Sequence, residues 1–300
     1  MNGQVGVERL TYYPVKGGAG IPVPETRITV HGLPGDRAWV ITDPSGRLRW
    51  QGGDPRLALL TPEPDPDGGT GLTLRAPDAP ELRVEHVEET AGAAGPAGPG
   101  ATGGVGRPVE LPGQTYGGLD AGEEAAAWVT KVLGAPSRLV RVRAADTGSG
   151  TGDGSGSEID DGTGTGAGPV ARVANHSRVH VVSRASLALL NTRLAEQGLP
   201  ALPMNRFRPN VVVGGWDAPH TEDESPVLEL GGARLEFTER TVRCAITMVD
   251  QERGVRSGPE PLRTLARYRR AAEGIVFGAY FDVRREGRVA VGDRVERPAP

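Results

Sequence analysis

Closely spaced turn signals set the scale of what this chain can build. Apolar runs at Gly6–Leu10, Thr26–Val30, Ala38–Thr42, Arg47–Trp50 and Leu57–Thr61 are cut apart by Pro-Gly, Asp-Pro and Ser-Gly pairs. Runs this short leave no room for helices and predict small antiparallel β structure. Leu72–Arg75, Leu82–Val87, Val109–Leu111 and Arg138–Arg143 continue the pattern.

Helical signals are few. Asp120, with Glu123 three residues later, reads as a capping box before Ala125–Leu133, and Gly134 and Pro136 end that helix. Ser183 caps a second helix with Leu187, Leu190 and Leu194 on one face, and Pro261 opens a short third through Ala272. Between and after them, Arg178–Val182, Asn210–Val213, Val227–Leu230, Arg234–Phe237, Val242–Val249, Ile275–Val283 and Arg288–Val291 read as strands. Many strands with two or three peripheral helices define an α+β, mainly β, class and fit a β-barrel-like domain better than alternating β-α units.

Two low-complexity tracts divide the chain. Residues 91–106 are Gly, Ala, Pro and Thr with almost no charge, and 146–168 are rich in Gly, Ser and Thr. Neither has apolar surface to bury, so the first is a flexible insertion and the second a linker. The expected units are therefore residues 1–145, a smaller β-rich domain, and 169–298, a barrel-like domain.

Composition excludes several function classes. No run of about 18 apolar residues spans a membrane, and Met-Asn-Gly-Gln-Val-Gly-Val-Glu lacks the order of a signal peptide. One cysteine in 300 residues forbids an intrachain disulfide, fits a reducing cytoplasm, and excludes a self-contained iron–sulfur cluster. Residues 170–300 carry 20 Arg against 16 acidic residues, whereas residues 1–169 are net negative. The C-terminal half is the better anion binder. Its positive excess is too small and interspersed for nucleic acid, and 4% aromatic residues offer few stacking platforms.

The single thiol, Cys244, lies in Arg240-Thr-Val-Arg-Cys-Ala-Ile-Thr-Met-Val-Asp-Gln-Glu-Arg-Gly254. A lone Cys is ordinarily a small buried hydrophobe, and Val242, Ala245, Ile246, Met248 and Val249 read as a mostly buried strand around it. Arg240 and Arg243 point the other way, because guanidinium neighbours favour the thiolate that binds soft metals. Upstream, Asn205-Arg206-Phe207-Arg208-Pro209-Asn210 leads into the β-branched Val211-Val212-Val213. Polar groups at a strand mouth suggest an anion site or a solvated strand end. His176 and His180, at i and i+4, fall on a strand or its start, not on the helix a zinc motif needs.

Arg-Phe-Arg-Pro-Asn followed by Arg-Cys, Thr and Val-Asp resembles the MOSC family, the C-terminal domain of molybdenum-cofactor sulfurases. The likeness is to the two-part subgroup of the mitochondrial amidoxime reducing component and its bacterial relatives. It implies a MOSC β-barrel preceded by a smaller MOSC N-terminal domain, and a molybdenum-pterin cofactor whose metal takes the Cys244 thiolate. Arg208, Arg243 and Asn210 would contact its phosphate and pterin edge, with Val242 beside them. Tyr12-Tyr13-Pro14-Val15-Lys16-Gly17 resembles the family's Tyr-Pro-Val-Lys-Ser turn, which implies cofactor contacts at Lys16 and, through the backbone, at Gly17. Gly35-Asp36-Arg37-Ala38-Trp39 resembles its Asp-Arg-aromatic segment and implies a pterin contact for Arg37, although an Asp36–Arg37 surface ion pair is the plainer reading. Ser177, after Asn175-His176, matches a Ser contact of relatives, and Tyr280 in Phe277-Gly278-Ala279-Tyr280 faces either the site or the core. Pyridoxal phosphate binding attaches to the family only at large.

The resemblance implies a reductase of N-hydroxylated small molecules such as amidoximes and hydroxylamines. Sulfur transfer through a Cys244 persulfide and cofactor carriage are the alternatives. Since no strand–helix Gly-x-Gly-x-x-Gly supplies a flavin or nicotinamide site, electrons must come from a separate ferredoxin-like or flavin-containing protein.

Overall fold

The computed structural model describes residues 4–64, 71–85, 106–111, 114–142, 158–159, 168–169 and 178–298. Ser177 and nearly all of both low-complexity tracts lie outside the described residues. In the first half the strands are β1 (Gly6–Tyr12), β2 (Ile21–Val23), β3 (Glu25–Ile28), β4 (Trp39–Thr42), β5 (Thr61–Pro64), β6 (Leu72–Arg75), β7 (Leu82–Val84), β8 (Gly106–Leu111), β9 (Gln114–Asp120) and β10 (Arg138–Val142). The second half adds β11 (Arg178–Ser183), β12 (Val211–Gly214), β13 (Val227–Leu230), β14 (Ala233–Val242), β15 (Gly274–Arg285), β16 (Gly287–Ala290) and β17 (Val295–Glu296). Helices α1 (Glu123–Leu133), α2 (Arg184–Ala195) and α3 (Leu262–Leu265) complete it.

The main sheet runs β2-β1-β12-β11-β15-β14-β13-β17. Its path returns to its start, because Val7 N donates to Asp293 O at 2.8 Å and Val295 N to Val5 O at 3.0 Å. Strands β1 and β2 therefore complete a sheet made otherwise of residues 178–296, and β3 pairs with β16. The one parallel pair in the main sheet is β11 with β12, joined through α2. Ser183 caps α2, its side chain accepting from Ser186 N, while Leu187, Leu190 and Leu194 pack on Val182, Phe207 and Phe277 beneath. A separate core gathers Trp39, Ile41, Leu57, Leu72, Leu74, Trp128 and Leu139 from β4, the turn Pro55–Leu59, β6, β10 and α1.

Four local expectations are corrected. Gly122, at φ 94, stands at the N-cap of α1 and no side chain caps it. The Asp120 carboxylate is taken by Arg107 and Arg138, and Glu123 by Arg138, so neither closes a capping box. Pro55–Leu59 is a 3-10 turn where a strand was expected. The helix expected from Pro261 to Ala272 stops at Leu265, and Arg270–Ala271 pairs with β15 instead.

The fourth correction matters most. Strand β14 ends at Val242, and Ala245–Met248 forms a 3-10 turn with Cys244 at its N-cap. Thr247 turns the chain, its N–H and hydroxyl both donating to Cys244 O at 3.2 and 3.0 Å. The chain leaves the ladder just as it reaches the thiol, so Cys244 is exposed and is not a buried strand residue.

Candidate functional site

Four stretches converge at one end of the main sheet: the turn after β1, the Asp36-Arg37 segment before β4, the 3-10 turn Met204–Phe207 before β12, and the end of β14. Asn210 stitches three of the sheet's strands. Its Nδ2 donates to Thr11 O at 3.1 Å, its Oδ1 accepts from His180 N at 3.3 Å, and its own N donates to His180 O at 2.8 Å. With 1% of its surface exposed, this residue holds β1 against β11 rather than facing a ligand with its amide.

The Lys16 turn is strapped to the second stretch. Lys16 N donates to Trp39 O at 2.8 Å and Arg37 N to Tyr13 O at 2.7 Å. Gly17 has φ 82, the left-handed region where a side chain is strained, and its carbonyl accepts from Gln51 Nε2 at 2.9 Å. Asp36 and Arg37 do form an ion pair, but it is no surface pair, since their side chains are only 4% and 15% exposed.

Around these backbones stand Lys16, Arg37, Arg208 and Arg243, with Asp36 as the carboxylate among them. Burial, followed by repulsion from Arg37, pulls Lys16 down to about 7, while Cys244 opposes the shift. Burial likewise lowers Arg208 to about 10 and lowers Arg243. Cations held together against their own repulsion call for an anion. Two of their N–H groups ask for one directly: Arg208 Nη2 and Arg243 Nε are buried without a hydrogen-bond partner.

His180 fixes Arg243. Its Nδ1 lies 3.3 Å from Arg208 O and its Nε2 3.4 Å from Arg243 Nη1. A carbonyl only accepts and a guanidinium only donates, so the ring carries its proton on Nδ1. Burial, then Arg243, pushes its pKa well below the usual 6.5 and keeps it neutral. Tyr280 lies opposite His180 across β11 and β15, ring centroids 5.2 Å apart, and it interacts with both Arg37 and Arg243. Its side chain is part-buried beside these groups and is not enclosed in the core. Gly278, at φ 80, bends β15 where an added Cβ would come within 2.8 Å of His180 Nε2.

Cys244 sits at the edge of this cluster and interacts with Lys16 and Arg243. Val242, paired with Val276, holds the last rung before it. Among the described residues no three His, Cys, Asp or Glu side chains group as a metal site. A metal held at Cys244 would therefore bring its remaining ligands within a larger group. A soft ligand beside cationic donors with unfilled hydrogen bonds fits a metal-bearing, anionic cofactor.

Reading the sequence missed three contributors. Gln51 lies in no motif, Gln251 stands in the Cys244 stretch with no role read for it, and Tyr13 was quoted only as the aromatic of the Tyr-Pro-Val-Lys-type turn. A polar cavity of about 370 Å³, lined by His220, Asp223, Glu224, Phe237, Arg240 and Arg269, lies apart from these groups.

The description of the MOSC domain matches residues 168–296, and that of the MOSC N-terminal beta barrel domain matches residues 4–136. The chain belongs to the MOSC family, with both domains present. Among its relatives, the human protein named mitochondrial amidoxime-reducing component 1 is 31% identical over 308 residues, covering 97% of this chain and 83% of its own. Mitochondrial amidoxime reducing component 2 of Rattus norvegicus is 30% identical over 98% of this chain and 84% of its own. Molybdenum cofactor sulfurase of Oryza sativa subsp. japonica is 28% identical over 91% of this chain but only 32% of its own length. Among the described residues no helix is long and apolar enough to cross a membrane.

Proposed function

We propose that this chain is a molybdenum-cofactor-binding oxidoreductase that reduces N-hydroxylated compounds, with residues 1–145 and 169–298 as its two domains. The observation that carries the reading is the exposed Cys244 thiol beside Lys16, Arg37, Arg208 and Arg243, two of whose buried N–H groups lack partners. The names of the relatives point to the same chemistry.

In this reading Cys244 is the one protein ligand of the metal. Arg208, Arg243 and Lys16 hold the anionic handle through charge-assisted hydrogen bonds. Arg37 and Tyr280 flank the pterin, Gly17 offers its backbone N–H, Val242 packs beside it, and Ser177 joins them through the resemblance alone. Asn210 and neutral His180 keep the strands and Arg243 in place. The chemistry that the group supplies when bound is removal of oxygen from an N–O bond with two electrons and two protons. Those electrons come from a separate acidic ferredoxin-like or flavin-containing protein, drawn by the Arg-rich half of the chain.

Purified protein should contain molybdenum and pterin near one per chain, and should reduce benzamidoxime with reduced viologen but not with NADH alone. Loaded protein inactive with every donor would favour the carrier. A persulfide on Cys244 with no retained metal would favour sulfur transfer.

A further inference from the structure

Arg37 and Arg208 carry like charges, yet both stand against one aromatic ring. The guanidinium carbon of Arg208 is 4.2 Å from the Tyr13 ring centroid and that of Arg37 is 4.9 Å away. The face of an aromatic ring is its negative pole, so each cation is attracted to the ring while being repelled by its counterpart.

The same residue also holds both backbones. Arg37 N donates to Tyr13 O at 2.7 Å, and the Tyr13 hydroxyl donates to the carbonyl of Pro209, the residue after Arg208, at 3.1 Å. Both arginines adopt left-handed backbone conformations, at φ 55 and φ 54. Such conformations are uncommon outside glycine and persist where the surroundings over-determine them. Tyr13 is itself fixed: its N–H donates to Asp36 Oδ1 at 2.7 Å and only 3% of its surface is exposed.

We propose that Tyr13 is the positioning residue of the anion site, an aromatic post whose π system holds two mutually repelling guanidinium groups near one phosphate-type ligand. It touches neither the metal nor the substrate. The proposal rests on reading the cluster as a site for an anionic cofactor. It assigns a role to a residue that merely fills the core under any other reading.

The test keeps shape nearly constant and varies the charge on the ring face. Tyr13→Phe retains the face and loses only the bond to Pro209. Phenylalanines carrying two, three and five fluorines at position 13 then remove the face's negative pole stepwise. For each protein the rate of cofactor release, followed by the fluorescence of oxidised pterin, is compared with inorganic phosphate affinity from phosphorus NMR and with Tm. Release should accelerate stepwise, by about 10-fold from Phe to the pentafluoro ring. Phosphate affinity should weaken in the same order while Tm stays within a few degrees.

Release and phosphate affinity that stay flat along the series, or that follow Tm, would overturn the role of Tyr13 while leaving the cofactor reading intact. Absence of cofactor in the unmodified protein, with phosphate affinity still graded by fluorination, would overturn the reading and support Tyr13. Binding of neither ligand overturns both.

Discussion

Gln51 and Gln251, 200 residues apart, exchange their side-chain amides: Gln51 Nε2 donates to Gln251 Oε1 at 2.9 Å and Gln251 Nε2 returns the bond at 3.1 Å. Gln51 also holds Gly17 O, and Gln251 Oε1 lies 3.5 Å from Arg208 Nη1, so this exchange spans both sides of the site. Gln251→Leu takes the partner from the fully buried Gln51 Oε1, while Gln51 Nε2 keeps Gly17 O, and should cost about 1–3 kcal/mol. Because the two act as a unit, Gln51→Leu with Gln251→Leu should cost less than the two singles added together. Urea denaturation of the four proteins measures the coupling, and strict additivity would show that the amides act independently.

Lys16 and Lys131 are the only lysines in the chain. With Lys16 held at about 7, its amine is largely unprotonated at pH 8 in cofactor-free protein. An amine-directed acylating reagent should modify Lys16 before Lys131, with a rate that falls as pH drops through 7. Loading the cofactor should suppress the reaction, since an anion raises the pKa of Lys16 and covers it. Peptide mass spectrometry reads both sites in one digest.

Gly278→Ala should damage fold and site together. The new methyl would lie 2.7 Å from Val182 Cγ2 and 2.9 Å from Val181 O, on a backbone at φ 80. Strain and overpacking should together cost about 2–4 kcal/mol. Displaced His180 and Tyr280 should also lower cofactor content in the protein that folds. Normal content at a lowered Tm would separate the two effects.

Two groups of the 370 Å³ cavity have pKa values shifted in opposite directions. Burial raises Asp223 to about 6, despite its ion pair with Arg269, so the folded state binds a proton more tightly there than the unfolded state does. Asp223 therefore withdraws stability as pH rises from about 4 to 6. Burial, then Arg269, lowers His220 to about 4, so this residue withdraws stability as pH falls from about 6.5 to 4. Asp223→Asn should gain on the wild type as pH rises from about 4 to 6, and His220→Phe should gain as pH falls from about 6.5 to 4. Thermal melts across that range, with parallel curves for all three proteins, would refute both assignments.

What the sequence disclosed follows from what local chemistry can announce. The Ser183 cap and its leucine face were legible because capping and periodicity act within a few residues. Cys244, Lys16, Arg37, Arg208, Arg243 and Tyr280 were legible as candidates because each is chemically conspicuous in a short motif, and the structure brings all six together. The Asp120 capping box misled because Arg107 and Arg138, 13 and 18 residues away, claim its carboxylate. The strand expected through Cys244 misled because its apolar pattern continues past the point where Thr247 bends the backbone. The roles of Tyr13, Gln51 and Gln251 could not be read, although Tyr13 and Gln251 lie within the quoted motifs. Their roles exist only once residues distant in the chain have met.

The placement of β1 and β3 also governs when this protein can finish folding. Gly6–Tyr12 needs Val211–Gly214 as its neighbour, and Glu25–Ile28 needs Gly287–Ala290. During synthesis β1 can pair with β2 at once, but its other edge waits for β12, and β3 waits for β16, so early closure of the N-terminal half cannot satisfy them. The anion site inherits the same timetable. Lys16 and Arg37 are made long before Cys244 and Tyr280, so a nascent chain that stops short of Tyr280 lacks part of the site.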